Sequence, residues 1–323
     1  MFFVLCGVAV LSGCRFVDED LRACDADYTL DYELSLVTDI STEINAVLDL
    51  ETDIEVATAL KGYLGEVFTD RAHDVNLSFY EVDANMERLH HDRHVMDASQ
   101  ASYTLSIPIQ KYMHVAVANL EKNPTLRLED DDLFPTASLR QVIRDTVPSQ
   151  SIGLFTACMP MDIKEGEDQV FEVNLTMANC SASVVLDTLG SGVRDIKVYA
   201  SGFATGYSLS SGSYFFDYTP VMETHQVEVE HSQEVCFTAV SFPSRGSATK
   251  ASDIVWEFRI YATTVDGSIT ETCLGISDPL EAGHIRVVKA VMYPNGTLIP
   301  SDETIAVSVQ LDWTPGMDHE VIL

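Results

Sequence analysis

Every second residue from Tyr28 to Leu36 is apolar: Tyr28, Leu30, Tyr32, Leu34 and Leu36 alternate with Thr29, Asp31, Glu33 and Ser35. A period of two is the signature of a half-buried β-strand, because successive side chains leave opposite faces of the sheet. The pattern returns near the end of the chain, where Ile305, Val307, Val309, Leu311 and Trp313 oppose Ala306, Ser308, Gln310 and Asp312. Between these two runs lie strand-like segments at 75–82, 103–108, 112–118, 125–128, 170–177, 181–186, 196–200, 227–230, 236–241, 255–262 and 285–293. Asp266-Gly267 and Asn295-Gly296 each separate two β-rich segments, where a hairpin turn needs positive φ. Frequent short strands joined by turn residues predict antiparallel sandwiches rather than a parallel sheet.

The period changes once. Ile54, Ala57, Leu60, Leu64 and Val67 recur at three or four residues behind Asp53, a candidate N-cap, which predicts a short amphipathic helix in the first half. At 323 residues the chain is long for one core and suits two domains of about 100 to 150 residues each. The stretch from Asp130 to Gln150, with Pro135 and Pro148, reads as a loop-rich connection, which places the boundary near residue 155. The expected organisation is a signal at 1–13, a tether at 14–27, one β-sandwich domain at 28–155 and a second at 156–323.

The first 14 residues contain no charge and end in Leu11-Ser12-Gly13-Cys14. An apolar run of this length is too short to cross about 30 Å of hydrocarbon as a helix, but it fits the core of a secretory signal. Small residues before Cys14 suit cleavage there, which makes Cys14 the acylated N-terminus of a lipoprotein. Such signals open with Lys or Arg and this one has neither, so the true start codon is expected a few codons upstream. Asp18, Glu19 and Asp20 come soon after the cysteine and read either as a spacer or as an export signal. The formal net charge is −31, from 50 acidic against 19 basic side chains, which excludes nucleic acid and opposes anionic lipid as partners. Membrane attachment therefore rests on the lipid itself.

Seven cysteines leave five once Cys6 goes with the signal and Cys14 carries lipid. In an oxidising compartment Cys236 and Cys273, both in strand-like segments of the second half, are the preferred pair, with buried thiols as the alternative. Chemistry-bearing motifs are scarce. His90 and His94 with Asp92 have metal-ligand spacing only on a helix, and Arg88 and Arg93 within the same cluster oppose a cation, so a polar hairpin is expected. Glu129-Asp130-Asp131-Asp132 lacks the spaced ligands and central glycine of a calcium loop. No nucleophile elbow, zinc-helix motif or phosphate-binding glycine loop occurs, which argues against an enzyme, although spatially paired carboxylates leave no linear trace. The Asn-x-Ser/Thr matches at Asn76, Asn174, Asn179 and Asn295 carry no meaning in a bacterial lipoprotein.

The lipobox at Cys14, the tether running into Asp20-Leu21-Arg22-Ala23-Cys24, the first strand from Tyr28 and the ending Leu311-Asp312-Trp313-Thr314-Pro315-Gly316 together resemble the lipidated anchor and minor subunits of type V pili, a fimbrillin-like family. The resemblance implies an all-β chain with a short helix, built as two transthyretin-like or immunoglobulin-like sandwiches in tandem. It also implies a surface-exposed lipoprotein of the outer membrane that anchors or terminates a fimbria by strand exchange with pilin subunits. No cofactor is implied beyond the covalent lipid on Cys14. Two other readings stay open. One is a tip adhesin of the same superfamily. The other is a glycan-binding surface lipoprotein, for which Gly206 to Phe216 is the best exposed aromatic loop, while Trp256 and Trp313 are expected in the core.

Overall fold

The computed structural model describes residues 28–37, 54–68, 73–82, 85–95, 102–164, 169–188, 190, 192–230, 232–246, 254–301 and 306–311. These residues form one helix and 22 strands in four sheets. The seven-stranded sheet runs β3 (Arg88–Val95), β2 (Asp74–Glu81), β5 (Lys111–Ala118), β9 (Phe155–Asp162), β10 (Val170–Met177), β1 (Tyr28–Val37), β4 (Ser102–Ile107). Here the strand expected from Tyr28 is inserted between two others, parallel to β10 with Leu34 opposite Val173, and antiparallel to β4 with Tyr32 opposite Tyr103.

The five-stranded sheet runs β16 (His225–Val227), β17 (Glu234–Ser241), β11 (Cys180–Thr188), β20 (Ile285–Met292), β21 (Leu298–Pro300). The six-stranded sheet runs β22 (Ala306–Leu311), β19 (Ile269–Ile276), β18 (Trp256–Thr264), β12 (Val193–Ser201), β15 (Val221–Glu223), β8 (Thr146–Pro148). These two pack face to face over Ala182, Val184, Phe237, Phe258, Ile260 and Leu274, a sandwich core in which Trp256 is 1% exposed, as its strand pattern predicts. A four-stranded sheet, β14 (Tyr214–Phe215), β13 (Gly206–Ser208), β7 (Ser138–Gln141), β6 (Leu126–Glu129), covers the far side of the seven-stranded one. Tyr80, Val115 and Val117 meet Leu126, Leu139 and Phe242 there.

The helix, α1 (Ile54–Val67), lies in a third core shared by the seven- and five-stranded sheets, where Leu60 and Leu64 join Leu77, Phe79, Val173, Val185 and Val240. Its buried stripe is Val56, Leu60, Leu64 and Val67, while Ile54, expected inside, is 77% exposed. β11 is buried on both faces over seven consecutive residues, because the sandwich core covers one side and the helix layer the other.

Both turn signals hold. Gly267 takes φ +91° between β18 and β19, and Gly296 takes φ +81° between β20 and β21, where Asn295 Oδ1 accepts the Thr297 amide at 3.1 Å. The boundary near residue 155 does not coincide with a seam between sheets. β9 and β10 lie beyond it in sequence yet complete the first sheet, with Ala116 opposite Ala157 across β5 and β9. The loop-rich connection expected at 130–150 holds two short strands that join the sheets, β7 paired with β13 and β8 parallel to β15. The nearby 150–154 loop is held by buried amides. Asn179 donates to Gln150 Oε1 at 2.9 Å and to Ile152 O at 3.2 Å and accepts from the Leu154 amide, and Asn119 donates to Gly153 O at 2.8 Å.

Candidate functional site

The residues singled out in the sequence scatter. Cys14, Asp18, Glu19, Asp20 and Trp313 lie outside the described residues. Cys236 and Cys273 do not pair. Both are free thiols in different sheets: Cys236 is fully buried in the helix-side core, whereas Cys273 is half-buried beside Glu271 in the six-stranded sheet. The whole sandwich core separates those surfaces, and sharing the second half of the chain says nothing about which face a strand presents. Burial pushes the Cys236 thiol up to about 12, so it stays protonated and inert.

The histidine segment is β3, a strand at the edge of its sheet rather than a helix. His90 leans on Phe79 with ring centroids 5.7 Å apart, and His91 Nδ1 lies 3.1 Å from Ser78 Oγ. Among the described residues no group of three or more His, Cys, Asp or Glu could hold a metal ion. The acidic run serves a turn: Arg88 forms ion pairs with Asp131 and Asp132, and Asp130 takes φ +51°. The expected aromatic loop is packed down instead of open. Tyr207 and Tyr214 lie 4.9 Å apart against the core between the four- and seven-stranded sheets, and the Tyr214 hydroxyl donates to Ala178 O at 2.9 Å.

The densest unclaimed chemistry sits where the four-stranded sheet meets the start of β8. A polar cleft of about 600 Å³ is lined by Arg127 from β6, Arg140 and Gln141 from β7, Arg144 from the following loop, and Asp217 and Tyr218 after β14. Arg140 pairs with Asp217 and lies 3.7 Å over the Phe215 ring, and Arg127 pairs with Glu129. Arg144 sits 5.8 Å over the Tyr218 ring, and burial pushes that phenol's pKa up. Thr219 is shared with a second hollow of about 500 Å³ on the outer face of the six-stranded sheet, lined by Lys197, Tyr199, Arg259 and Tyr261. There Tyr199 and Tyr261 meet edge to face at 5.9 Å. Burial opposes the Arg259 charge, but its 2.8 Å contact with Glu257 more than offsets that and holds it cationic. Burial first, then the Glu271 charge, raises Tyr261 to about 12. Three arginines between residues 127 and 144, among only 19 basic side chains, were the trace of this cleft in the sequence, but Asp217 and Tyr218 lie more than 70 positions away.

No family model and no curated protein matches the sequence. The class defined by the fold, a tandem β-sandwich chain with one short helix, is nevertheless populated among solved structures. This chain is similar to one from Bacteroides ovatus provisionally described as an adhesin, with a TM-score of 0.54 and 10% identity over 90% of this chain and 97% of that one. It is similar to one from Bacteroides thetaiotaomicron provisionally described as polysaccharide-binding, with a TM-score of 0.51 and 9% identity over 86% and 99%. The fimbrial anchor protein Mfa2 from Porphyromonas gingivalis aligns over 88% of this chain and 99% of that one at 10% identity, but its TM-score of 0.47 is too low to carry weight. At these identities the likeness is one of fold, and it is the fold that the resemblance to fimbrillin-like subunits implied.

Proposed function

We propose that this chain is a surface-exposed outer-membrane lipoprotein of the fimbrial kind. Acyl chains on Cys14 hold it in the membrane, the acidic Asp18, Glu19 and Asp20 direct it to the outer face, and its body anchors or terminates a pilus through strand exchange with pilin subunits. The reading is carried by one conjunction: Leu11-Ser12-Gly13-Cys14 precedes a body whose fold is shared by chains described as adhesins. Charge supports it, since a −31 body gains nothing from anionic lipid, while each acyl methylene contributes about 0.8 kcal/mol.

Sheet edges support strand contact. An edge strand presents unpaired N–H and C=O groups that a partner strand can complete, so exposed edges are normally shortened, charged or blocked by proline. Edge strand β3 carries Arg88, Asp92 and Arg93, while β8 and β21 are three residues long and end in Pro148 and Pro300. Among the described residues β4 and β22 are six-residue edge strands without a charge, and these are the edges we assign to a pilin strand. This role needs no catalytic group and no cofactor besides the lipid.

A fatty-acid probe fed to the native host should label the wild-type chain and not its Cys14→Ala variant. Deleting the gene should release pili into the medium or change their length. An unlabelled chain, together with pili that stay cell-bound at normal length, would overturn the proposal.

A further inference from the structure

We infer that the arginine cleft is a binding site for an oligosaccharide bearing a single carboxylate, with the acidic sugar at Arg144 and the adjoining sugar reaching past Thr219 toward Tyr199 and Tyr261. The inference stands apart from the lipid anchor and the pilus, and would hold for the body on its own.

Arg144 supplies the charge. Of the three arginines in the cleft, Arg127 and Arg140 are each neutralised by a carboxylate, Glu129 and Asp217. Arg144 has the Tyr218 ring as its partner and, among the described residues, no carboxylate within 4.0 Å. A guanidinium lying over an aromatic face without a carboxylate partner keeps its edge donors free, and that fork matches the two oxygens of a carboxylate. Gln141 supplies the polar contacts. It lines the same cleft, is 8% exposed, and neither its Oε1 nor its Nε2 has a hydrogen-bond partner. An amide left so is costly to the fold, and a side-chain rotation toward the cleft would let it meet hydroxyl groups, which both donate and accept.

Size and charge select among anions. The cleft and the hollow beyond Thr219, about 600 and about 500 Å³, suit a ligand longer than one small acid. The tyrosine pair in the second hollow offers apolar ring area to the faces of a sugar, with the Lys197 and Arg259 side chains beside it. Glu129, Asp130, Asp145 and Asp217 share the first cleft, and the chain as a whole carries −31, so a densely sulfated or phosphorylated polymer is repelled. With four carboxylates against three arginines in the cleft, an anion is accepted only as a single carboxylate paired directly with Arg144.

The test uses the full chain purified in detergent and an array of oligosaccharides capped by a hexuronic or sialic acid, each beside its uncharged counterpart, for example sialyllactose beside lactose. Acidic members should bind at least tenfold more tightly than their counterparts. Arg144→Ala should abolish that preference, Arg144→Lys should keep part of it, and Gln141→Leu should weaken binding several-fold. Because Arg144 is exposed, its variants should melt with the wild type, which separates loss of ligand from loss of fold. The inference is overturned if no acidic member binds, if Arg144→Ala binds as the wild type does, or if a glutamate-rich peptide competes as well as the saccharide, which would make this a peptide site.

Discussion

His114 shows how burial turns a titratable residue into a structural one. Its ring is fully buried, stacked on Phe79 at 4.4 Å, with Nδ1 3.0 Å from Ser78 O. Burial is the main cause that lowers its pKa to about 4, against a small opposing effect of the Ser78 bond. In the unfolded chain the same imidazole titrates near 6.5. Below about pH 6.5 the unfolded state therefore takes up a proton that the native state refuses, and stability falls by about 1.4 kcal/mol per pH unit until the native pKa near 4 is reached. Above that window the group has no effect. Denaturant melts at pH 6.5 and 4.5 should show His114→Gln losing about 2 kcal/mol less than the wild type over that interval; parallel losses would mean that this histidine is not held neutral. The buried asparagines tell a similar story. Asn179 matches a glycosylation triplet, yet it is 0% exposed and bonded to the 150–154 loop on both sides of its amide.

At the scale of elements, the helix is the clearest case of partial legibility. Its existence and approximate ends follow from the three-and-four spacing of apolar residues, but which of them face inward depends on the layers above and below. Leu60 is fully buried in the shared core, and Ile54 at the first turn is 77% exposed. Leu60→Ala should cost about 2–5 kcal/mol in chemical denaturation and Ile54→Ala less than about 0.5 kcal/mol, and similar costs would contradict the packing. Alternating strands read well wherever one face is wet, as in β18, whose burial alternates from Phe258 onward. β11, covered on both sides, has no alternation to read. The turns were legible because positive φ at Gly267 and Gly296 is a local demand. The candidate cleft was not, because Arg144 and Tyr218 meet only after two strands and a crossover bring them together.

At the scale of the whole molecule the tandem sandwiches are tied together by strands drawn from both sides of residue 155. The seven-stranded sheet needs β9 and β10, the four-stranded sheet joins β6 and β7 to β13 and β14, and the helix core draws on Val185, Cys236 and Val240. A fragment of residues 28–155 lacks the partners of β1, β5 and α1, and should show no cooperative thermal transition, whereas the chain from residue 28 onward should melt cooperatively. A sharp transition from the fragment alone would refute the interlock. The strand-rich character, the helix, the hairpin turns and the acidic surface were all determined by local pattern and composition, since each depends on residues within a few positions of one another. Sheet membership, the free state of Cys236 and Cys273, and the grouping of Arg127, Arg140 and Arg144 with Tyr218 were decided only by the tertiary structure. A β-sheet joins residues through hydrogen bonds across the fold, and no spacing along the chain records which strand will lie beside which.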